Sequence, residues 1–172
     1  YTVKDVFDKA KKEGISAVAI TDHDTVAAYS EGLEFSGNYG IEFVAAVELS
    51  AMYEGREVHV VGLFVDPKNR EFEERLVYFR KKRNERAKKI IKKLRENKID
   101  VSFNELYEIT ENVNNSGRLH IAKLLVKKNY AVNIKDAFNR LLGEGRPAYV
   151  EKAKLTVEEA FGLIRNAGGI SI

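Results

Sequence analysis

Cysteine and tryptophan are absent from the 172-residue sequence, and proline occurs only twice. Without cysteine the chain has no disulfide framework, no thiolate metal ligand and no cysteine nucleophile. Its apolar runs fall far short of the roughly 18 uncharged residues that a membrane-spanning helix requires. With 44% hydrophobic residues the chain can still build a buried core. These features exclude membrane, disulfide-rich secreted and disordered proteins, and they favour one globular domain or one domain that carries an insertion.

The chain also lacks a large excess of either charge, because its net charge is only +3. A net charge this small does not by itself indicate a nucleic-acid partner. Positive charge is nevertheless concentrated in residues 76–98, which contain eleven Lys or Arg and two Glu. A helix with this composition contacts a nucleic acid, steers anionic substrates or is simply solvated. No aromatic residue lies within its basic centre at 80–89 to stack on bases, so the solvated interpretation is favoured.

Hydrophobic periodicity divides the first part of the chain into alternating elements. Residues 2–13 have helical spacing and begin with a Thr2/Asp5 capping box. The next run, at 15–20, is almost entirely apolar, as expected of a strand covered on both faces. A helix and two further strands are predicted at 26–36, 41–49 and 58–65. This order predicts an α/β layer fold with a largely buried sheet.

The pattern then becomes helical. Helices are predicted at 71–98, 102–109, 118–128 and 133–142. After them, 148–150 are predicted to be extended, and a Thr156/Glu159 capping box begins a helix that ends near residue 166, before a last strand. We therefore predict an all-helical insertion between two parts of one α/β domain, with the insertion at 67–147 and the two parts at 1–66 and 148–172.

His23 lies in a loop directly after the first predicted strand, between Asp22 and Asp24. The carboxyl ends of strands in α/β folds are where ligand sites form. Carboxylate and imidazole ligands suit Mn, Fe or Zn. The alternative is that Asp24 or Thr25 caps the next helix while Asp22 is solvated in a turn.

Glu48 and His59 each interrupt an apolar strand. A carboxylate buried like Glu48 must be paired or bound to a cation, unless it lies at the rim of the sheet with its carboxylate in water. A single histidine in a strand is more often a hydrogen-bonded structural residue than a ligand. Two histidines and a carboxylate at strand ends are, however, typical of metallohydrolases.

Residues 114–120 open a helix in the insertion and contain Arg118 and His120. The N-terminus of a helix attracts anions, and an adjacent arginine makes a phosphate site there. The alternative is ordinary serine capping with a solvent-facing arginine. Residues two apart on a helix diverge, so Arg118 and His120 can share a ligand only if the first turn is irregular.

In these positions the sequence resembles the PHP (polymerase and histidinol phosphatase) family of metallophosphoesterases. The resemblance is closest to the stand-alone branch that acts on nucleoside 3′,5′-bisphosphates and short oligonucleotides. It covers essentially the whole chain, in order, through Ala19–Thr25, Val47–Ser50, Val58–Gly62, Gly117–Ala122, Gly145–Val150 and Ala167–Gly169.

The resemblance implies a fold and a set of ligands. The fold would be a distorted (β/α)₇ barrel, incomplete in this chain, with an all-helical insertion. The site would hold two or three divalent metal ions, usually Mn, with Fe or Zn as alternatives. His23, Glu48 and His59 would be metal ligands, with Glu48 and His59 in the catalytic set. Arg118 and His120 would bind substrate phosphate, whereas Asp22 and Asp24 would support the ligands or cap a helix.

The resemblance also implies an activity. A metal-bridged hydroxide would hydrolyse phosphate esters of nucleotides, either 3′,5′-bisphosphates or short oligonucleotides, in a cytoplasmic enzyme. The family's first and last metal ligands should lie before Tyr1 and after Ile172, so we expect this chain alone to bind metal poorly and to be inactive. The alternative is a non-catalytic module that binds nucleic acid or protein through the basic helix at 76–98. DNA proofreading and histidinol-phosphate hydrolysis are rival activities.

Overall fold

A computed structural model describes residues 1–110, 117–153 and 155–172. Its elements, in chain order, are α1 (Val3–Lys12), β1 (Ala17–Ala19), α2 (Tyr29–Tyr39), β2 (Glu42–Val44), β3 (Ala46–Tyr53), β4 (Arg56–Leu63), α3 (Arg70–Glu96), α4 (Phe103–Thr110), α5 (Arg118–Lys127), α6 (Ile134–Ala137), a π-helical segment (Phe138–Leu142), β5 (Leu155–Thr156), α7 (Val157–Asn166) and β6 (Ile170–Ser171). No described helix is both long enough and apolar enough to span a membrane.

The chain folds into two compact units. The first contains Tyr1–Val77 and Lys154–Ile172, and the second contains Tyr78–Ala153. In the first unit, β1 and β2 pair in parallel, and a four-stranded sheet has the order β5-β3-β4-β6. The long central pair, β3 and β4, is antiparallel, while β5 is parallel to β3 and β6 is antiparallel to β4. The first unit is therefore a mixed α/β structure, as the sequence predicts.

Local sequence signals account for several element ends. The Thr2 and Thr156 hydroxyls accept the backbone N–H groups of Asp5 and Glu159, and both capping boxes are formed. The connection between β3 and β4 consists of Glu54 and Gly55, both with positive φ, which suits a tight two-residue turn between twisted strands. The capping boxes confirm the predicted starts of α1 and α7.

Packing against α7 gives the central strand pair one buried face. Val47 and Leu49 on β3 and Val60 on β4 are buried. Gly62 lies so close to α7 that an added Cβ would approach Cγ1 of Ile164 to 2.8 Å. Because side chains alternate along a strand, Glu48, Ser50 and His59 project from the opposite face. This face carries the candidate site.

The second unit has a separate hydrophobic core. Leu94, Leu106, Leu125 and Leu142 are among its fully buried side chains, contributed by four different helical segments. A capping interaction begins α4, because the backbone N–H of Glu105 donates to the Ser102 hydroxyl at 3.2 Å. All the regular secondary structure in the described residues between Tyr78 and Ala153 is helical, with no strand. The boundaries of a 67–147 insertion remain a prediction.

Three element predictions were wrong. β1 has only three residues, and Ala17 and Ala19 are exposed, so it is not covered on both faces. The predicted strand over 41–49 is divided into β2 and β3, which belong to different sheets. The second predicted helix is confirmed, with bounds about three residues later than predicted, and it is followed by the C-cap Gly40, whose positive φ suits a helix C-terminus. Residues 148–150 form a turn and coil instead of an extended segment.

Candidate metal centre

His23, Glu48 and His59 converge in the first unit. One potential ligand atom from each residue lies within 4.8 Å of those of the other two. Glu48 Oε1 is 2.5 Å from Nδ1 of His59, and Glu48 Oε2 is 3.5 Å from Nε2 of His23. The imidazole rings are nearly perpendicular, with centroids 4.8 Å apart. The carboxylate therefore lies between two imidazoles, each of which can share an ion with it.

Backbone pairing places His23 beside Glu48. The Glu48 N–H donates to the Asp22 carbonyl at 3.1 Å, and the Asp24 N–H donates to the Glu48 carbonyl at 2.9 Å. Asp24 is buried and has a φ of +54°, a left-handed conformation that aspartate tolerates better than most residues. This turn follows the single bridge by which His23 pairs with Glu48 of β3. The loop is thus anchored through main-chain bonds on both sides of the candidate ligand.

Strand register determines the positions of Glu48 and His59. The sequence predicts Glu48 at the end of a strand, but Glu48 is the third residue of β3. Its side chain is only 22% exposed, which contradicts the rim alternative of a carboxylate in open water. His59 on β4 is paired with Ser50, two residues beyond Glu48 on the same face of β3. The antiparallel register therefore brings Glu48 and His59 together diagonally across the pair.

The residues present fit a hard divalent cation. One carboxylate and two imidazoles are the ligand types that Mn, Fe and Zn accept. The Ser50 hydroxyl is buried and has no hydrogen-bond partner among the described residues, although it lies opposite His59. An unsatisfied buried hydroxyl beside such a cluster is consistent with a site that binds a further polar group. Ser50 belongs to the Val47–Ser50 segment of the family resemblance but was not predicted as a site residue, although its spacing of two from Glu48 places it on the same strand face.

The capping alternative for the loop is wrong. The N-cap of α2 is Ala28, which provides no side-chain hydrogen bond, so neither Asp24 nor Thr25 occupies the cap position. Thr25 instead accepts the N–H of Ala27 at 3.2 Å, ahead of the helix. The loop conformation is therefore explained by its pairing with Glu48 and not by the start of the next helix.

Arg118 lies in the second unit at the first position of α5, with Gly117 as N-cap. The guanidinium carbon is 5.6 Å from the ring centre of Phe138 and 5.9 Å from that of Tyr149. Such stacking orients an arginine while it leaves the edge of the guanidinium for an anion. Ser116 and the two asparagines before it, which the sequence analysis included in this motif, lie outside the described residues.

Two further arginines accompany Arg118. Arg83 and Arg86 of α3 line the same small cavity as Arg118 and Gly117, and we call these three arginines the arginine cluster. Arg86 donates from Nε to the Val150 carbonyl at 2.8 Å, which fixes its orientation. Sequence analysis treated the basic run as one solvated face and missed both residues. Their spacing of three on one helix, which places them on one face, was the available signal.

His120 does not line that cavity, but it responds to the same charges. Burial lowers the pKa of its imidazole, and the nearby Lys123 and Arg83 lower it further. Its Nδ1 accepts the Gly117 N–H at 3.3 Å, which also requires a deprotonated Nδ1. His120 is therefore a neutral imidazole near pH 7, with Nε2 carrying the proton.

Known proteins resemble this chain over nearly all of its length. It is 30% identical over 99% of its length to a 3′,5′-nucleoside bisphosphate phosphatase from Chromobacterium violaceum, of which it covers 60%. It is 32% identical over 95% of its length to a 5′-3′ exoribonuclease from Haemophilus influenzae, of which it covers 59%. The chain thus spans about three-fifths of the length of these relatives.

The fold agrees with the sequence comparison. A solved structure from Bifidobacterium adolescentis, assigned as a metal-dependent phosphoesterase, superimposes with a TM-score of 0.88 at 26% identity. The alignment covers 99% of this chain and 60% of that one. The family model described as the PHP domain matches residues 1–168. The chain therefore belongs to the PHP domain family.

Proposed function

We propose that the protein containing this chain is a metal-dependent phosphoesterase that hydrolyses phosphate esters of nucleotides. The convergence of His23, Glu48 and His59 within 4.8 Å carries this proposal. Family membership and the phosphatase and exoribonuclease activities named for the relatives support it. We further propose that the complete domain is a distorted (β/α)₇ barrel with a helical insertion and that the enzyme is cytoplasmic.

His23, Glu48 and His59 would hold the metal, and Glu48 would serve two ions because each of its oxygens faces a different imidazole. We propose two or three divalent ions per complete site, with Mn favoured over Fe or Zn. Such ions lower the pKa of water and stabilise negative charge that develops on phosphate oxygens. The protein's part would be to hold these ligands in register, and the pairing of β3 with β4 and of His23 with Glu48 supports this role.

Substrate phosphate would be bound by Arg118, assisted by Arg83 and Arg86. A planar guanidinium can donate two parallel hydrogen bonds to phosphate, and the ring contacts with Phe138 and Tyr149 hold Arg118 in place. His120, neutral and protonated at Nε2, would donate a hydrogen bond to the same substrate without adding charge. With these roles, the arginine cluster would be the anion-binding part of the enzyme.

The substrate would be a nucleoside 3′,5′-bisphosphate or a short oligonucleotide. The activities named for the two relatives support this class. Three arginines that line one small cavity would also provide more positive charge than a singly charged ester needs, which favours a substrate with closely spaced phosphates. DNA proofreading and histidinol-phosphate hydrolysis are the competing activities, and a purely non-catalytic binding module is not favoured.

The test is hydrolysis by the full-length protein containing this chain, supplied with Mn²⁺ and a nucleoside 3′,5′-bisphosphate. Glu48→Gln and His59→Ala are each expected to lower kcat/KM by more than about 100-fold, since even changes to residues behind the ligands cost 10–100-fold. Mn²⁺ binding measured by calorimetry should weaken in parallel. Glu74→Gln is the matched control, because Glu74 is an exposed carboxylate paired only with Arg70 on α3 among the contacts described. Unchanged activity in either ligand variant would refute the proposal.

A further inference from the structure

A second surface of the helical unit has the properties of a nucleotide-binding groove. The C-terminal half of α3 and the start of α4 border an open groove of about 580 Å³. Its lining includes Lys88, Lys92, Arg95, Glu96 and Phe103, and we call it the α3–α4 groove. None of these residues belongs to the metal cluster or to the arginine cluster. The groove therefore requires its own explanation.

The charge of the groove is complementary to a polyanion. Three of the lining side chains are cations and one is an anion. That anion is Glu96, one helical turn after Lys92, and its Oε1 already lies 4.0 Å from Nζ of Lys92. Phosphates along a flexible strand can be neutralised by such a row of exposed lysine and arginine side chains.

The groove also contains an aromatic platform. The Phe103 ring is half-buried against the core of the helical unit, so its orientation is fixed by packing. Tyr107, one turn later on α4, contacts it edge-on with ring centres 4.8 Å apart. Lys88 Nζ lies 5.3 Å from the centre of the Phe103 ring. A cation thus occupies the position above the ring that a nucleobase would take.

We propose that the α3–α4 groove binds a single-stranded oligonucleotide, with one base stacked on Phe103 and the adjoining phosphates contacted by Lys88, Lys92 and Arg95. Base–aromatic stacking is generally stronger than an exposed cation–π contact, so an incoming base would displace Lys88 from the ring toward a phosphate. An unpaired base is required, because a paired base cannot present its face to a side chain. This binding goes beyond the proposed hydrolysis, since it requires neither metal nor catalysis.

The stacking half of the proposal is tested on the full chain in EDTA, which prevents metal-dependent cleavage. Fluorescence anisotropy of a short labelled oligoadenylate gives the affinity. Phe103→Leu is expected to weaken binding about tenfold, whereas Phe103→Tyr, which keeps the ring, should retain it. An abasic oligonucleotide of equal length should bind the parent chain and Phe103→Leu with the same affinity. Equal affinity of Phe103→Leu and the parent chain for oligoadenylate would overturn the proposal.

The charge half is tested by the salt dependence of the same binding. Lys92→Gln should reduce the slope of log K against log salt concentration by about 0.7, the value for one phosphate contact on a single strand. Lys89→Gln is the matched control, because Lys89 is an exposed lysine on the same helix that does not line the groove. An equal reduction in both variants would mean a general electrostatic surface and would overturn the proposal.

Photocrosslinking keeps the proposal falsifiable if Phe103→Leu does not fold, which circular dichroism would report. A bromouridine-containing oligonucleotide should crosslink to Phe103 or Tyr107 of the unaltered chain, and crosslinks confined to other sites would contradict the proposal. Equal affinity for a duplex of the same length would also contradict it. Because every measurement is made in EDTA, failure of the groove leaves the proposed hydrolysis intact, and loss of hydrolysis in Glu48→Gln leaves the groove intact.

Discussion

The two units of this protein assemble polar side chains in different ways. In the first unit, the Glu48 backbone is hydrogen-bonded to Asp22 and Asp24, and its strand is paired with the one that carries His59. The three candidate ligands are short side chains on this hydrogen-bonded frame. In the second unit, the arginine cluster and the α3–α4 groove are formed by long side chains on helices, and two of these side chains, Lys88 and Arg118, lie over aromatic rings.

This difference suits the chemistry that each region can support. Metal coordination requires atoms placed within tenths of an ångström, and sheet register provides that placement. Anion binding by several cations tolerates larger displacements, because the attraction falls slowly with distance and long side chains adjust. The first unit is thus suited to hold ions, and the second unit is suited to hold the charged parts of a flexible ligand.

A pair of core truncations would break the comparison most directly. Leu49→Ala in β3 and Leu125→Ala in α5 each remove a fully buried side chain, and each should lower the free energy of unfolding by about 2–5 kcal/mol. Because the units have separate cores, hydrogen exchange should accelerate mainly in β3 and β4 for the first variant and mainly in the helical unit for the second. Exchange that accelerates evenly over both units in either variant would show that they open as one.

The substitution Arg118→Lys would sharpen the comparison by testing whether the helical unit binds the phosphate of the substrate. Lysine keeps the charge but loses the bidentate fork and the ring stacking, so we expect KM for the bisphosphate to rise about tenfold while kcat changes little. Steady-state kinetics of the full-length protein provide the measurement. Arg70→Lys, at an exposed position on the same chain, is the control and should be neutral. An unchanged KM in Arg118→Lys would remove this residue from the phosphate site.

The smallest expected effect concerns a carboxylate that has a structural role. Hydrogen bonds from Lys128 and from Ser102 lower the pKa of Glu105 to about 2 from an ordinary value of 4.5. Its contribution to stability is therefore fully present above about pH 4.5 and is lost as the pH falls through about 2. Glu105→Gln should lower Tm at pH 7. The difference in Tm between this variant and the parent chain should shrink progressively as the pH falls from about 4.5 to about 2. A pH-independent difference would contradict the assignment, and Glu105→Gln should leave Mn²⁺ affinity unchanged.

The candidate ligands were predictable because each interrupts a pattern. Two polar residues in apolar strands and a histidine after a third strand have few structural explanations, and the family resemblance connects them. Ser50 gave no such signal, because a serine in a strand is unremarkable until its neighbours are known. The division of 41–49 into two strands was also not predictable, since periodicity does not reveal which sheet a residue joins.

In the helical unit, composition indicated the charge but not its arrangement. The absence of an aromatic residue from 80–89 argued against base stacking, yet Phe103 reaches Lys88 from the following helix. Arg83 and Arg86 likewise acquire a shared position with Arg118 only through tertiary packing. Long-range contacts of this kind depend on how helices pack, and one sequence carries little information about that.

The two-residue connection at Glu54 and Gly55 has a consequence well beyond its own location. It sets the hairpin so that His59 emerges on the same side as Glu48, and adding a single amino acid there would slip the second strand by one position. The imidazole would then lie opposite Leu49, in the position now held by Val60 on the face covered by α7, and a hydrophobic neighbour would replace it beside the carboxylate. The length of this loop is accordingly coupled to the geometry of the candidate ligands. A residue added to the loop could be compensated only by a β-bulge before His59.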